Sequence, residues 1–454
     1  IDDEITYIDV PAQVIDDSIY IPIEELQNFY NILVVNNEKI IITTDKADYI
    51  SCTLQKKLKL RGYKKAFSKV IVTCNIGEKI DVFEYKDNPE WVLIRSEKGD
   101  LGYARMSEIV CENMAGNILP PMELPTPKVN IIWEYAENYT PDRSSESKID
   151  AIDVVAPTWI YLSNTDETIK NTIDTSYISW AHENNYKVWA TFKNDGMGIE
   201  NTSQIVTDMK TRETIVSSLI NLCKTYNIDG INVDFEHLNS EIAPDYIQFL
   251  FELSVKCRNE GLVLSVDNYV PSSYNLYYNR EAQALMCDYI VVMCYDEYYS
   301  GGSEAGSNAS IGFVTDGVTD TLTEVPGEQL IMAVPFYTRM WIQTPEILSD
   351  GTQEIIEDSV YGNYYLTSRT LSLRAAIDIL NEHEAIIMWF EEWGQYYGEY
   401  SDSQGICYRI WLEEEESMAL KLALIGEYDL AGMAAWKLGL EYDEIWDVIA
   451  QYVQ

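Results

Sequence analysis

The sequence has no uninterrupted apolar run of roughly 18 residues, so a helical membrane span is not expected. It is also poor in cations. Against 74 Asp and Glu stand only 32 Lys and Arg, a formal net charge of −42. Such a chain repels nucleic acid and anionic membranes, which removes both from the expected partners. Three widely spaced histidines, His182, His237 and His383, leave little material for a zinc site. Neither a metal nor an organic cofactor is expected. The eight cysteines form no C-x-x-C pair and no framework of a small disulfide-rich domain. Most read as buried free thiols, although Cys52 with either Cys74 or Cys111 could bridge in an oxidising setting. The chain opens at Ile1 without a basic-then-apolar leader, the pattern expected of a mature or trimmed product.

What is present supports a large folded protein. The 454 residues exceed one ordinary domain, and a hydrophobic content of 46% suffices for packed cores. The N-terminal quarter is rich in short strand-like runs. Ser18 to Pro22 and Lys39 to Thr43 flank a helix-like Ile23 to Tyr30, and further short strands with turn signals recur from about residue 56 to 110. Residues 111 to 127 carry four prolines and little apolar period, so 113 to 127 reads as a linker. Beyond it, strands and helices alternate to the end. Candidate strands are Val129 to Glu134, Ala151 to Ala156, Lys187 to Phe192, Gly230 to Glu236, Leu262 to Val266, Tyr289 to Tyr295, Gln329 to Pro335 and Leu430 to Trp436. Eight such units predict a (β/α)8 barrel over 128–454. The gap from Pro335 to Leu430 is too long for one helix, so a small α+β insertion is expected at about 342–428.

The most informative segment is Asp229 to Glu236, which reads DGINVDFE. Ile231, Val233 and Phe235 alternate with Asn232, Asp234 and Glu236, so on a strand the polar groups share one face. A row of polar groups facing inward from a central strand is costly unless it is used. Two carboxyls two residues apart lie roughly 6 to 7 Å from each other by strand rise. Such a pair suits general acid/base work, because one ionised group tunes its neighbour.

The octapeptide resembles the D-G-x-D-x-D-x-E signature of glycoside hydrolase family 18, the chitinase-like (β/α)8 barrels, with Asn232 standing where most members carry Asp. Asn at this position is familiar in the spore-cortex-lytic and related bacterial envelope branch. The resemblance makes Glu236 the general acid/base and Asp234 the group that orients the substrate's 2-acetamido group. With Asn232 in place of an acid, Asp234 is expected to titrate simply, without a carboxyl partner. Three further stretches carry the same resemblance. Met293-Cys-Tyr295-Asp296 is similar to the family's M-x-Y-D motif, implying that Tyr295 donates to the acetamido carbonyl and Asp296 contacts sugar hydroxyls. Pro335-Phe-Tyr337-Thr-Arg339-Met-Trp341 is similar to P-F-Y-x-R-x-W and is placed at the end of the seventh strand, and the resemblance counts Tyr337 and Arg339, with Asn232, Met293, Asp296, Trp436 and Trp133, among the substrate-binding residues. Gly432 to Trp436 ends the eighth, with Trp436 forming the floor of the −1 subsite. Trp133 and Trp159 either line outer subsites or are buried beneath loops.

The resemblance covers about residues 127 to 454. It implies a retaining enzyme that cleaves β-N-acetylglucosaminyl linkages, the substrate's own acetamido oxygen acting as nucleophile. The implied partner is a polysaccharide containing N-acetylglucosamine: peptidoglycan, spore cortex or chitin. A chitinase, an endo-β-N-acetylglucosaminidase or a catalytically inactive glycan-binding barrel are the alternatives. Two further resemblances concern residues 1–112. The phrase PAQVIDDSIYIPIEELQNFY (1–50) is similar to a small stalk-type module, also described as copper amine oxidase N-terminal-like. The order Gly77, Trp91, Arg95, Gly99, Gly102, Tyr103 (51–112) is similar to a bacterial SH3-like barrel. Both imply a secreted or envelope-associated protein.

Overall fold

The computed structural model describes residues 13–15, 18–20, 31–35, 39–43, 49–61, 64, 69–83, 91–98, 100–112, 128–162, 169–194, 198–358 and 362–453. The helix-like Ile23 to Tyr30 and the linker at 113–127 lie outside them. Two compact units divide the chain, Ile1–Pro125 and Thr126–Gln454.

In the first unit, two hairpins pair Gln13–Ile15 with Ser18–Tyr20 and Asn31–Val35 with Lys39–Thr43. A seven-stranded antiparallel sheet follows. Alternating residues of its strands, including Leu58, Leu60, Ile80, Val82, Val92 and Ile94, turn inward to form a small core. Cys52 and Cys111 form a disulfide that ties the Tyr49–Leu54 strand to the Cys111–Glu112 strand, while Cys74 stays a buried thiol.

The second unit is a closed barrel of eight parallel strands. They are β1 (Val129–Glu134), β2 (Val154–Pro157), β3 (Lys187–Lys193), β4 (Gly230–Asp234), β5 (Val263–Tyr269), β6 (Tyr289–Met293), β7 (Leu330–Pro335) and β8 (Gly432–Trp436). Each pairs with the next in parallel, and β8 pairs with β1 to close the ring. Closure removes both sheet edges and buries strands on two sides, which is why the strands read as near-continuous apolar runs. Outward residues such as Ile231, Val233, Val266 and Val292 pack under the helices. Inward residues such as Ile131, Trp133, Trp189, Val291 and Ala434 fill the lumen.

Helices are set by ordinary local chemistry. Met209–Tyr226 starts on Asp208, whose carboxylate accepts from the Thr211 N–H, and stops at Asn227 in the left-handed region with φ 57°. Its buried stripe, Ile215, Val216, Leu219, Ile220 and Cys223, follows the helical period. Among the described residues no helix is long and apolar enough to cross a membrane.

The long gap after β7 holds a five-stranded antiparallel sheet with strands Tyr337–Pro345, Tyr364–Ser372, Ile386–Phe390, Gln395–Ser401 and Cys407–Trp411, and the helix Leu373–Glu382. Tyr337, Arg339 and Trp341 therefore sit on the first inserted strand and do not end β7. The chain turns at Phe336, whose N–H is taken by the Trp436 carbonyl, so the insertion begins directly at the barrel rim.

Candidate active site

Position 230 must be glycine. A Cβ there would lie 2.7 Å from Trp189 Cδ1 and 2.8 Å from the Val263 carbonyl, both on flanking strands. Asp229, just before it, lies at the N-terminal end of β4, away from the chemistry. It accepts from His182 Nε2 (2.8 Å), Lys187 Nζ (2.9 Å) and the Val188 N–H (3.0 Å). Against the upward pull of burial, these bonds hold its carboxyl below the usual range.

The strand expected over Gly230 to Glu236 ends earlier, at Asp234. Glu236 stands two residues past its C-terminal end, where Asn194 at the end of β3 clamps its backbone. Asn194 Oδ1 accepts from the Glu236 N–H (2.8 Å), and Asn194 Nδ2 donates to the Glu236 carbonyl (2.9 Å). Between Asp234 and Glu236, Phe235 points outward and stacks on Tyr246 and Phe249, with centroids 5.6 and 5.7 Å away. The Glu236 side chain is 39% exposed, and its Oε2 accepts from the Tyr269 hydroxyl at 2.6 Å.

Asn232 is completely buried inside the barrel. Its Oδ1 accepts from Trp133 Nε1 (3.0 Å) and Thr191 Oγ1 (3.2 Å), and its Nδ2 donates to Ser265 Oγ (3.0 Å) and Asp267 Oδ1 (2.8 Å). Its role here is to join four strands. Asp267, on which the charge of Asp234 acts, corrects the expectation that Asp234 stands without a carboxyl partner. Asp267, 3% exposed, is pushed well above the usual carboxyl range, first by burial and then by the charges of Asp234 and Glu236. The β4–β5 register pairs Val233 with Val266, so the next residues, Asp234 and Asp267, stand side by side.

On the other side of the rim, the Tyr295 hydroxyl is raised by burial and by Tyr337, Asp234, Asp267 and Glu236, which places it against the same acidic cluster. Asp296 has φ 57° and accepts from Tyr337 OH (2.8 Å) and Arg339 (3.1 Å). The inserted sheet thus fixes a group that follows β6. Met293 is nearly buried at the end of β6. Trp436, half-buried at the end of β8, packs against Trp133 with ring centroids 6.1 Å apart. Trp133 is 2% exposed, so of the two readings of this residue it is burial that the structure shows. Trp159 is fully buried as well, packed edge-on against Tyr177.

Residues 131–441 match the family of glycosyl hydrolases family 18. The chain belongs to glycoside hydrolase family 18. It is 26% identical over 248 residues to a cortical fragment-lytic enzyme of Bacillus subtilis, covering 53% of this chain and 54% of that protein. To the di-N-acetylchitobiase of Homo sapiens it is 24% identical over 267 residues, covering 54% of this chain and 69% of the other. The crystal structure of the spore cortex-lytic enzyme SleL of Bacillus megaterium superposes with a TM-score of 0.63 at 21% identity, covering 74% of this chain and 76% of that one, a likeness of fold. The chain spans about half the length of the cortical fragment-lytic enzyme and of the putative sporulation-specific glycosylase YdhD of Bacillus subtilis.

Within this family 18 barrel, the structure brings Asp234, Glu236, Tyr295, Asp296, Tyr337, Arg339 and Trp436 to one rim. Four residues around them were not read from sequence: Asn194, Asp267, Tyr269 and Arg280. The strand expected to stop at Val266 continues to Tyr269, carrying Asp267 and Tyr269 inward. Arg280, fully buried, donates to the Tyr269 carbonyl (2.9 Å) and to Asn275 Oδ1 (2.8 Å) and pairs with Glu324. A basic residue beneath an aromatic strand end carries no motif. The polar period Ser265, Asp267, Tyr269 was the available signal.

Proposed function

We propose that the barrel is a retaining glycosidase that cleaves β-N-acetylglucosaminyl linkages with help from the substrate's own acetamido group. The observation that carries this reading is the convergence of Asp234, Glu236 and Tyr295 at the C-terminal ends of β4 and β6. Glu236 protonates the leaving oxygen, then takes a proton from the water that opens the oxazolinium intermediate. Its backbone is clamped by Asn194, so the carboxyl swings from a fixed hinge. Asp234 accepts from the acetamide N–H and balances the positive charge on the ring. Tyr295 holds the acetamide oxygen, and its burial keeps it a donor at every physiological pH. Trp436 lies under the sugar, while Asp296, held by Tyr337 and Arg339, binds its hydroxyls.

For the substrate, the cortical fragment-lytic relative supports spore cortex or peptidoglycan, and the N-terminal unit supports attachment to an insoluble envelope polymer through SH3-like and stalk-like modules. Both support a secreted or envelope-associated protein. The chitobiase relative favours chitin-type oligosaccharides as the second reading. Glu236→Gln should lower turnover on an aryl β-N-acetylglucosaminide by roughly 10² to 10⁴ with folding unchanged. Proton NMR of the first product should show the β anomer. An α anomer from a β-linked substrate rules out retention, and a panel of cortex, vegetative wall and chitin fragments read by mass spectrometry decides the glycan.

A further inference from the structure

Strand β5 faces β4 with a second row of polar groups. Ser265, Asp267 and Tyr269 alternate inward along β5, beside Asn232 and Asp234 of β4 and Glu236 just past its end. Two of the three rungs are hydrogen-bonded: Asn232 donates to both Ser265 and Asp267, and the Tyr269 hydroxyl donates to Glu236. The middle rung puts two carboxyls on neighbouring strands, roughly 4.8 Å apart in backbone. Asp267 is buried beside Asp234 on the adjacent strand. The titratable groups around it are Asp234 of β4, Glu236 just past β4, Tyr269 on its own strand, Tyr295 past β6 and Tyr246 from the helix Ala243–Glu260, all of them acids. Among the described residues no Lys, Arg or His is hydrogen-bonded or ion-paired to it. Two carboxylates cannot both ionise in such a place.

We propose that Asp267 is a positioning residue of the reaction centre: it carries the one proton of an Asp234–Asp267 pair and donates it towards Asp234, which stays ionised to receive the acetamide N–H. The pair then holds a single negative charge throughout the cycle. No proton is consumed, since the one on Asp267 only shifts along the hydrogen bond as charge builds and fades on the sugar. Asn232 cannot fill this place. It is committed to Trp133, Thr191, Ser265 and Asp267, and its amide group holds Asp267 in line with Asp234. The partner acid has thus moved from two residues earlier on β4 to the adjacent strand.

The inference rests on Asp234 being the acetamide acceptor, and the test separates the two. Difference infrared spectra of wild type and Asp267→Asn at neutral pH should show that the variant loses one protonated carboxyl band. Loss of none overturns the proposal, whatever the enzyme acts on. In kinetics, Asp267→Asn keeps a donor facing Asp234 and should stay within about three-fold of wild type. Asp267→Ala removes the donor and should fall on the order of ten- to a hundred-fold, as for one charge-assisted hydrogen bond, with the acid limb of its pH profile displaced upward. The double variant Asn232→Asp, Asp267→Asn returns the acid to β4 and should recover activity over Asp267→Ala. Equal losses in Asp267→Asn and Asp267→Ala, with matched circular dichroism and thermal stability, would refute donation. A wild type inactive on every N-acetylglucosamine glycan would instead sink the reading of the site, with the infrared band still deciding the pair.

Discussion

Asn194→Ala tests whether the acid is positioned from its backbone. Asn194 is 7% exposed and makes three bonds: it accepts from the Glu236 N–H and donates to the Glu236 carbonyl and to Thr202 Oγ1. At ~1 kcal/mol net for each bond, and more where a buried partner is left unpaired, the variant should lose about 2 to 4 kcal/mol of stability. The catalytic effect is separate. Glu236 lies past the end of β4, so with the clamp gone its backbone is held only by its neighbours, Phe235 in the aromatic stack and Leu238, whose N–H and carbonyl bind Tyr278 and Tyr277. A displacement on the order of 1 Å costs about 10²-fold in rate, and partial retention by these contacts brings the expected loss in kcat to about ten- to a hundred-fold. KM should change little, because Asn194 is not placed against the sugar. Steady-state kinetics well below the melting temperature, with calorimetry on the same samples, measure both effects. A variant that melts earlier yet keeps its kcat would show that the clamp only stabilises the fold.

Three more outcomes are expected. The raised Asp267 carboxyl is protonated in the folded protein and ionised in the unfolded chain between the ordinary Asp value and its own higher one, so it withdraws stability as pH rises above about 4. Asp267→Asn should therefore melt higher than wild type near neutrality and equal to it at about pH 4; a constant offset across that window would contradict the assignment. Lys421 and Glu413 form a fully buried ion pair at 2.6 Å behind the inserted sheet, with Glu413 raised by burial against the pull of Lys421. Lys421→Met leaves that carboxyl without its cation and should cost about 3 to 5 kcal/mol in denaturant unfolding, whereas replacing both residues with apolar ones should recover most of the loss. Removal of residues 1–125 should leave turnover of a small soluble substrate within about two-fold and reduce co-sedimentation with purified cell wall by roughly ten-fold or more, and equal loss on both would give the unit a structural role.

Periodicity made the barrel legible. Each of the eight strands was visible as an apolar run between turn signals, because strands buried on both sides must be apolar along most of their length, and the strand-helix rhythm then leaves few topologies. Asp234 and Glu236 were legible for a local reason as well, since a spacing of two at the end of β4 fixes which way they point; Tyr295 and Asp296, just past β6, were legible through the resemblance of their segment. The insertion was foreseen from the length of the gap after β7, but not that its first strand would carry Tyr337 and Arg339 to Asp296. Nor did sequence show the continuation of β5. Asp267 and Asn268 break the apolar run, so the expected strand stops at Val266, since the cost of an inward carboxyl is balanced only by partners on other strands. Asn194, Tyr269 and Arg280 escaped for the same reason. Their partners lie 42, 33 and 11 residues away along the chain, and contacts of that kind exist only once the ring of strands has closed. Sequence set which strands form and which groups point inward; closure decided which of those groups meet.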